Sequence, residues 1–248
     1  MNLTRRRSEA PIKVKIDCFD CQSRDRSAWC GLNQSDVSFL NERKQTSILR
    51  VGNVIHEQGE PCKGLYIVER GTVAIRKTDA AGNTMLLRLC HKGDTIGYRA
   101  LLSGGPHTTS AECLVESRIC FIAKESVQGM TKRNPELGLQ FVRQMAQELE
   151  ATEHGLLRTA ALPIRMRLAH LLLSLKDRYG SVDDSGTLSL ELPLSRQDIA
   201  SLLAARPETI ARAIHELDAD SVARFSGRTV TIPDLDLLLD EVEFADMP

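Results

Sequence analysis

Short apolar or alternating runs separated by glycines fill the chain from about Ser47 to Lys124. Strands of this length, divided by turn residues, are typical of a sandwich or barrel of antiparallel hairpins. Within this region, "LYIVERGTVAIRKTDAAGNTMLLRL" (65–89) predicts a meander of three strands, with a glycine turn and a polar tip at "AAGN" (80–83). The pattern therefore predicts an antiparallel β-domain in the first half of the chain.

The pattern changes after Glu125, and helix-forming residues dominate from Pro135 to about Ala160. One interpretation is an amphipathic helix packed on its own domain. The other is a helix that links two domains and pairs with its copy in a second chain, which predicts a homodimer. The second interpretation rests on side chains that recur at alternating steps of three and four residues, the spacing of a coiled-coil seam: Val142, Met145, Leu149, Thr152, Leu156 and Thr159.

A second domain is predicted after Leu162-Pro163. "IRMRLAHLLLSLKDRYG" predicts a helix that ends at Gly180, "SVDDSG" a loop and "TLSLEL" a short strand. Near the end of the chain, "VARFSGRTVTI" predicts a hairpin that turns at Ser226-Gly227. The last segment, "DLDLLLDEVEFADMP", predicts a short acidic helix with a loose tail.

Between the strand and the hairpin, "PLSRQDIASLLAARPETIARAIHEL" (193–217) predicts two short helices. Ser195 and Asp198 form an approximate capping box for the first helix. Pro207 suits the first position of the second helix, because its φ is fixed and it has no N–H to satisfy. Two short helices joined by a tight turn and followed by a hairpin form a winged helix-turn-helix, a DNA-binding arrangement.

The exposed face of the second helix carries Glu208, Thr209 and Arg212 at its start. An arginine can bind guanine through two hydrogen bonds and a glutamate can accept one from cytosine, so the pair can read a G·C step. The alternative is an ordinary surface ion pair between residues four apart. Three further arginines are candidates for phosphate contacts: Arg206, Arg224 and Arg228.

The overall composition neither indicates nor excludes a nucleic-acid partner, because the formal net charge is only -1. Acidic residues exceed basic ones after Leu162, but the excess is concentrated from Asp234 onward. We find no nucleophile–base pair, HExxH motif, phosphate-binding glycine loop or suggestively spaced carboxylate pair. The sequence therefore does not predict an enzyme.

Three thiols lie close together in "DCFDCQSRDRSAWC" (17–30). The N-terminus is basic without a following apolar run, and no window reaches the ~18 continuous apolar residues of a membrane span, so a cytoplasmic protein without membrane contact is predicted. Seven cysteines is an odd number, and cytosolic thiols stay reduced. Metal binding or redox chemistry is therefore predicted rather than a disulfide framework.

The predicted order of β-domain, long helix and winged helix, with "PETIAR" in the second short helix, resembles the CRP/FNR superfamily of bacterial transcription regulators over residues 16–232. The resemblance implies an α+β fold: a cysteine-rich arm (1–31), a cyclic-nucleotide-binding-like β-roll or jelly roll (32–132), a dimerisation helix (133–161) and a winged helix-turn-helix (162–248). It also implies a homodimer that binds an inverted-repeat site on double-stranded DNA and contacts RNA polymerase through exposed turns such as residues 78–83.

The segment "KGDTIGYRALLSGGPHTTSAECL" (92–114) lies where cyclic-AMP-binding members carry a Gly-Glu-Leu segment and an Arg-Ser pair. In this sequence Tyr98-Arg99 stands near the acidic position, and Thr109 followed by Ser110 replaces the Arg-Ser pair. A cyclic phosphate would lose its charge-assisted hydrogen bonds. No cyclic nucleotide is therefore expected to bind.

The FNR branch of the family implies an oxygen-labile 4Fe-4S cluster held by Cys18, Cys21, Cys30 and Cys120. Such a cluster would report oxygen, nitric oxide or another oxidant by controlling dimer geometry. Structural zinc, a thiol switch and a small-ligand regulator without a cluster remain alternatives. The other cysteines are expected to be buried apolar residues of strands: Cys62, Cys90 and Cys113.

The sequence departs from the family pattern in the cysteine arm, in the predicted coiled-coil seam and in the predicted DNA-reading helix. Eight residues separate Cys21 from Cys30, a longer loop than the FNR branch usually shows, and Thr152 stands where relatives place an acidic seam residue. In the reader, Ala211 replaces a serine that reads thymine in the FNR branch. A G·C core is therefore implied for the DNA site, while the outer base pairs are left open. Other departures in the reader are Ala204, Arg206 and Pro207.

Overall fold

A computed structural model describes residues 10–24 and 27–243 of the chain. The basic N-terminal residues 1–9 and the predicted loose tail at 244–248 lie outside the described residues. The chain divides into two compact units between Leu149 and Glu150. None of the helices in the described ranges is both long and apolar enough to cross a membrane.

The first unit is the predicted antiparallel β-roll, built from two sheets. One sheet has the strand order β1-β2-β9-β4-β7 and the other β3-β8-β5-β6. The strands are β1 (Ile12–Val14), β2 (Gln45–Leu49), β3 (Val54–His56), β4 (Gly64–Arg70), β5 (Val73–Thr78), β6 (Thr84–Cys90), β7 (Thr95–Ile96), β8 (Ser110–Cys113) and β9 (Ser117–Ala123). The helices are α1 (Gln34–Arg43), α2 (Tyr98–Ser103), α3 (Lys124–Arg133) and α4 (Pro135–Ala161), of which α4 continues into the second unit.

The predicted three-stranded meander is wrong in one of its two connections. β5 and β6 form a hairpin, but β4 pairs with β9 and β7 in the other sheet. The chain crosses between the sheets at Gly71, whose φ of 107° lies in the left-handed region that favours glycine. A Cβ at this position would lie 2.2 Å from the Ser117 hydroxyl oxygen, so the crossing is also too tight for another residue.

Two apolar clusters form the core of the first unit. One lies between the two sheets and includes Val68, Ile75 and Ile119. The other lies under α1, α3 and the start of α4, and it also takes in Cys18 and Trp29 from the N-terminal arm. The arm is therefore part of the core of the β-roll, and not an appendage beside it.

The second unit is the predicted winged helix-turn-helix. It contains α5 (Ile164–Tyr179), β10 (Gly180–Val182), β11 (Leu188–Glu191), α6 (Arg196–Leu202), α7 (Pro207–Ala219), β12 (Arg224–Ser226), β13 (Thr229–Ile232) and α8 (Leu235–Glu243). The strands form one sheet in the order β10-β11-β13-β12. Two local predictions are wrong: residues 181–182, expected in a loop, extend β10, and the wing turns at residues 227–228 because Ser226 pairs with Thr229.

Local hydrogen bonds fix the start of α6 and the turn that follows it. The Ser195 hydroxyl accepts a hydrogen bond from the Asp198 backbone N–H at 3.1 Å, and the Asp198 carboxylate accepts one from the Ser195 N–H at 3.0 Å, which completes the predicted capping box. In the turn, Ala204 has a φ of 47°, a left-handed conformation that costs a non-glycine residue some free energy. α7 then opens at Pro207, as predicted.

We expect Ser195→Ala to lower the free energy of unfolding by about 1 kcal/mol, because the substitution removes the N-cap of α6. Denaturant unfolding of the full chain measures the change. Ser181→Ala, at an exposed position of β10, is the control and should be nearly neutral. Equal losses in the two variants would contradict a capping role for Ser195.

Candidate functional site

Three of the four predicted cluster ligands line one small cavity between the N-terminal arm and the β-roll. Cys18 and Cys21 come from the arm, and Cys120 comes from the middle of β9, between Thr46 of β2 and Ile67 of β4. The cavity measures about 30 Å³, with room for about two water molecules. Its other lining residues are Ile16, Ser23, Arg24, Ser27, Trp29, Leu40, Lys44, Ile67, Glu69 and Ile122.

Hydrogen bonds from α1 and β4 hold the arm over this cavity. The Asn41 side-chain oxygen accepts hydrogen bonds from the Cys18 backbone N–H and from Lys44 Nζ, both at 2.9 Å. Lys44 Nζ also donates to the Ile16 carbonyl. Further along the arm, the Ser23 hydroxyl donates to the Glu69 carbonyl at 2.7 Å. Sequence analysis did not single out Asn41 or Lys44, because no periodicity distinguishes them from other polar residues of α1.

Cys30, the fourth predicted ligand, is exposed and does not line the cavity. Its neighbour Trp29 is only 1% exposed, and the Trp29 indole N–H donates to the Thr95 hydroxyl at 3.0 Å. Across the described residues, no three His, Cys, Asp or Glu side chains are arranged to hold a metal ion. The structure therefore brings together three of the four predicted ligands and leaves Cys30 apart.

Burial raises the pKa values of two thiols of this cavity, those of Cys18 and Cys120. Desolvation raises the pKa of the Cys120 thiol to about 11, although the Thr46 hydroxyl at 3.4 Å and the nearby Lys44 charge act in the opposite direction. Desolvation also raises the pKa of Cys18, again against the effect of Lys44. Soft thiolates bind iron and zinc well, and metal binding displaces their protons. The donor type thus suits a thiolate-bound metal group, but the three thiols of the cavity are not arranged to hold a metal ion in this structure and Cys30 lies apart from them.

The three remaining cysteines lie away from this cavity. Cys90 and Cys113 are buried in the cluster between the two sheets, where desolvation raises their pKa values to about 12 and about 11. For Cys62 the prediction of a buried strand residue is wrong: it lies between β3 and β4 and is half-buried, with its sulfur 3.5 Å from the Gly64 carbonyl oxygen. Cys113 is the cysteine nearest to Cys120 in sequence, but it does not line the same cavity.

A second small cavity of about 30 Å³ lies in the β-roll and is lined in part by the segment 92–114. The His56 and His107 rings stack there with centroids 3.8 Å apart, and Thr109 also lines the cavity. Burial lowers the pKa of His56 to about 4, and the adjacent His107 adds to the shift, so the pair carries little positive charge at neutral pH.

The two arginines of this second cavity have a partner on α4. Arg88 lies 2.7 Å from one Glu148 carboxylate oxygen, and Arg99 pairs with the other. The two cations therefore share one carboxylate within the chain, which offsets one of their two positive charges. Sequence analysis missed Glu148, because its partners lie 49 and 60 positions away in the sequence.

α4 presents one buried and one exposed apolar face. Leu137 and Phe141 are its buried residues. The predicted seam positions are all exposed in the single chain: Val142, Met145, Leu149, Thr152 and Leu156. Leu139 and Leu157 are exposed large apolar residues that the seam prediction omitted. Dimerisation through this face stays a prediction.

The predicted DNA-reading residues lie on one end of α7. Glu208, Ala211 and Arg212 are exposed in its first two turns, Thr209 is half-buried, and Arg206 stands exposed at the N-cap without a side-chain cap. In the part of the chain that the structure describes, no ion pair joins Glu208 to Arg212, so the alternative of a surface ion pair finds no support. The opposite face of α7 is anchored in the core by Ile210, Ala213 and Leu217. Of the wing arginines, Arg224 pairs with Asp218 at 3.1 Å and Arg228 is exposed.

Comparisons with known proteins match both units. Residues 48–134 match the cyclic nucleotide-binding domain, and residues 166–241 match the Crp-like helix-turn-helix domain. The chain is 27% identical over 208 residues to the CRP-like cAMP-activated global transcriptional regulator of Mycobacterium tuberculosis, covering 84% of this chain and 92% of that protein. It is 26% identical over 220 residues to the fumarate and nitrate reduction regulatory protein of Vibrio cholerae, covering 88% and 86%.

A solved structure shows the same fold. The crystal structure of a CRP/FNR-family transcriptional regulator from Thermus thermophilus superposes with a TM-score of 0.67 and 24% sequence identity, covering 80% of this chain and 98% of that one. Of the two named relatives, one is described as a cAMP-activated transcriptional regulator and the other as a regulatory protein of fumarate and nitrate reduction. The comparisons therefore support the fold and the class of protein. The signal that the protein senses has to be inferred from the residues of this chain.

We expect a thiol-alkylating reagent at pH 8 to modify Cys30 of the reduced, metal-free protein first. Cys120 should react last, together with Cys90 and Cys113, because at pH 8 a buried thiol with a pKa of about 11 is almost wholly protonated and the thiolate is the reactive form. Mass spectrometry of peptides at increasing reaction times measures the order. Early modification of Cys120 would contradict a closed cavity.

Proposed function

We propose that this chain is a DNA-binding transcription regulator of the CRP/FNR family, and that it senses oxygen, nitric oxide or another oxidant through a 4Fe-4S cluster. The observation that supports this sensor is the convergence of Cys18, Cys21 and Cys120 on one cavity. These residues are 99 or more positions apart between the arm and β9, so the fold itself brings the thiols together. Cys30 completes the four thiolates that a fully protein-ligated cluster needs.

The residues around the cavity suit this role. The cluster supplies an oxidant-labile group when bound, and Cys18, Cys21, Cys30 and Cys120 would hold it. Lys44 places a positive charge beside the thiols and favours their deprotonated, metal-binding form. The apolar walls formed by Ile16, Leu40, Ile67 and Ile122 limit the access of water. Because Cys30 lies apart from the cavity, binding of the cluster would require the Cys30 segment to move toward it and would therefore depend on the conformation of the arm.

The output of the proposed sensor is sequence-specific DNA binding by a homodimer. α7 would enter the major groove, where Arg212 and Glu208 read a G·C step and Arg206 contacts phosphate. Two chains paired along the exposed face of α4 would place two copies of α7 about one DNA turn (~34 Å) apart on an inverted repeat. The exposed turn at residues 79–83 is the candidate contact with RNA polymerase.

A second candidate is a regulator of the same family that responds to thiol oxidation without a cluster. The exposure of Cys30 favours it, because an accessible cysteine is the first to be oxidised, while Cys18 and Cys120 are buried and Cys21 is half-buried. A cyclic nucleotide is disfavoured as the signal, since Thr109 offers no charge and Arg88 and Arg99 are already paired with Glu148. Iron analysis separates the two candidates.

We expect the protein purified without oxygen to contain about four irons and four sulfides per chain and to show a broad brown absorption band that changes in air. Cys18→Ser and Cys120→Ser should each lose most of the iron, because each removes one of four thiolates. Cys113→Ser, at a buried cysteine of β8 in the other sheet, is the matched control and should keep the iron. Two results would contradict the 4Fe-4S proposal and leave the DNA-binding assignment intact. One is a protein that stays colourless after anaerobic reconstitution with iron and sulfide, and the other is a protein that contains zinc in place of iron.

We expect Arg212→Ala to weaken binding to an inverted-repeat site, selected from random DNA, by roughly 10- to 100-fold, which corresponds to the ~1–3 kcal/mol of a bidentate base contact. Fluorescence anisotropy at one fixed salt concentration measures the affinity. The variant should also discriminate less against changes at one G·C pair. Arg178→Ala removes the same charge from an exposed position of α5. Equal losses in both variants would show that Arg212 acts only through its charge.

A further inference from the structure

Trp29 joins the cysteine arm to α4. It precedes the exposed Cys30 in the chain, yet its own side chain is 1% exposed. Its indole N–H donates to the Thr95 hydroxyl on β7 at 3.0 Å. Its ring packs edge-on against Phe141 of α4, with ring centroids 5.6 Å apart and an interplanar angle of 71°. One side chain of the arm thus contacts both the β-roll and the long helix.

Phe141 depends on this contact for one side of its packing. It is fully buried, and Tyr98 stacks on it with centroids 6.1 Å apart and an interplanar angle of 10°. Beyond Phe141, α4 has no further buried residue within the described part of the chain. The next residue, Val142, is exposed and begins the predicted seam. A displacement of Trp29 therefore removes support at the point where α4 leaves the core.

A second attachment holds α4 two turns further on. Glu148 lies seven residues after Phe141 and thus on the same face of the helix. Its carboxylate forms ion pairs with Arg88 and Arg99. These contacts come from β6 and α2 of the β-roll and involve no residue of the arm. Of the two attachments, only the aromatic one includes a residue of the arm.

We propose that Trp29 is a positioning residue that transmits the state of the cysteine arm to α4 through Phe141. A change at Cys30 moves the adjacent Trp29, the Trp29–Phe141 contact changes, and α4 shifts between residues 141 and 148. The exposed seam residues Val142 and Met145 lie in this interval, so the shift alters the surface offered to a second chain. The inference rests on the proposed function in taking the arm as the sensor.

The test uses the full-length, reduced, metal-free protein and a bulky maleimide that attaches to the exposed Cys30. Hydrogen exchange measured by mass spectrometry follows peptides covering residues 137–149, with α3 as an internal reference. In the wild type, the adduct should speed exchange in this part of α4 by roughly five- to tenfold and leave α3 unchanged, because amide exchange reports local opening of a helix. Cys30→Ser, which cannot form the adduct, is the labelling control.

Two conservative variants test whether the effect passes through Trp29. Trp29→Phe keeps an aromatic ring but loses the N–H donor, and Thr95→Val removes the acceptor. Both should raise exchange in α4 before labelling, and the adduct should then add less than half of its effect in the wild type. Thr72→Val, at another buried threonine of the β-roll, should behave like the wild type in both respects.

Three results would overturn the proposal: an adduct that leaves α4 exchange unchanged in the wild type, an equal response in Trp29→Phe, or faster exchange throughout the β-roll including α3. None of these measurements uses iron. A protein that fails to take up a cluster but shows the Cys30 effect on α4 would refute the 4Fe-4S proposal and keep the Trp29 link. A protein that binds the cluster without the link would do the reverse.

Discussion

The packing of Phe141 between Trp29 and Tyr98 is the contact that joins the N-terminal arm to the long helix α4. It brings together the arm, the short helix α2 and the long helix α4. Aromatic pairs with edge-on and stacked geometry contribute about 0.5–1.5 kcal/mol beyond the area they bury. This contribution is small compared with that of the whole core. A rearrangement of the arm that costs a similar free energy is therefore enough to weaken the aromatic attachment of α4, while the ion pairs of Glu148 remain.

The two cavities of the β-roll differ in what remains open to a ligand. In the cavity near Thr109, both arginines pair with Glu148, so an incoming anion would compete for guanidinium groups that also hold α4. In the arm cavity, three thiols lie among mostly apolar residues, and Arg24, Lys44 and Glu69 also line it. Burial raises the pKa values of Cys18 and Cys120, so a proton competes with a metal for these two sulfurs. One cavity thus holds paired charged groups, and the other holds soft sulfur donors.

Elements determined by local chemistry could be predicted from the sequence. Turn residues at 79–83 define the β5–β6 hairpin, uninterrupted helix formers define α4, and the capping box of Ser195 with Asp198 defines α6. The partner of β4 could not be predicted, because a two-residue connection suggests a hairpin and only the packing around Gly71 sends the chain to the other sheet. β1 and the helices α1 and α2 were missed, since each is short and depends on tertiary contacts.

The candidate site divides in the same way. Spacing revealed Cys18, Cys21 and Cys30 as a group, but Cys120 entered only through the family resemblance, since its cavity position follows from strand pairing across 74 residues with Thr46. Trp29, Lys44 and Glu148 act through contacts with residues distant in sequence, and no local pattern marks such contacts. The exposure of Cys30 could not be predicted either, because the buried indole beside it decides where the backbone leaves the core.

Trp29 is the single tryptophan of the chain. Its indole lies in a dry environment with one hydrogen bond, at the junction of arm, sheet and long helix. Indole emission shifts with the polarity around the ring, and no second indole contributes a background. The protein therefore carries its own optical reporter at this junction, so movement of the arm can be followed in solution, in real time and without an added label.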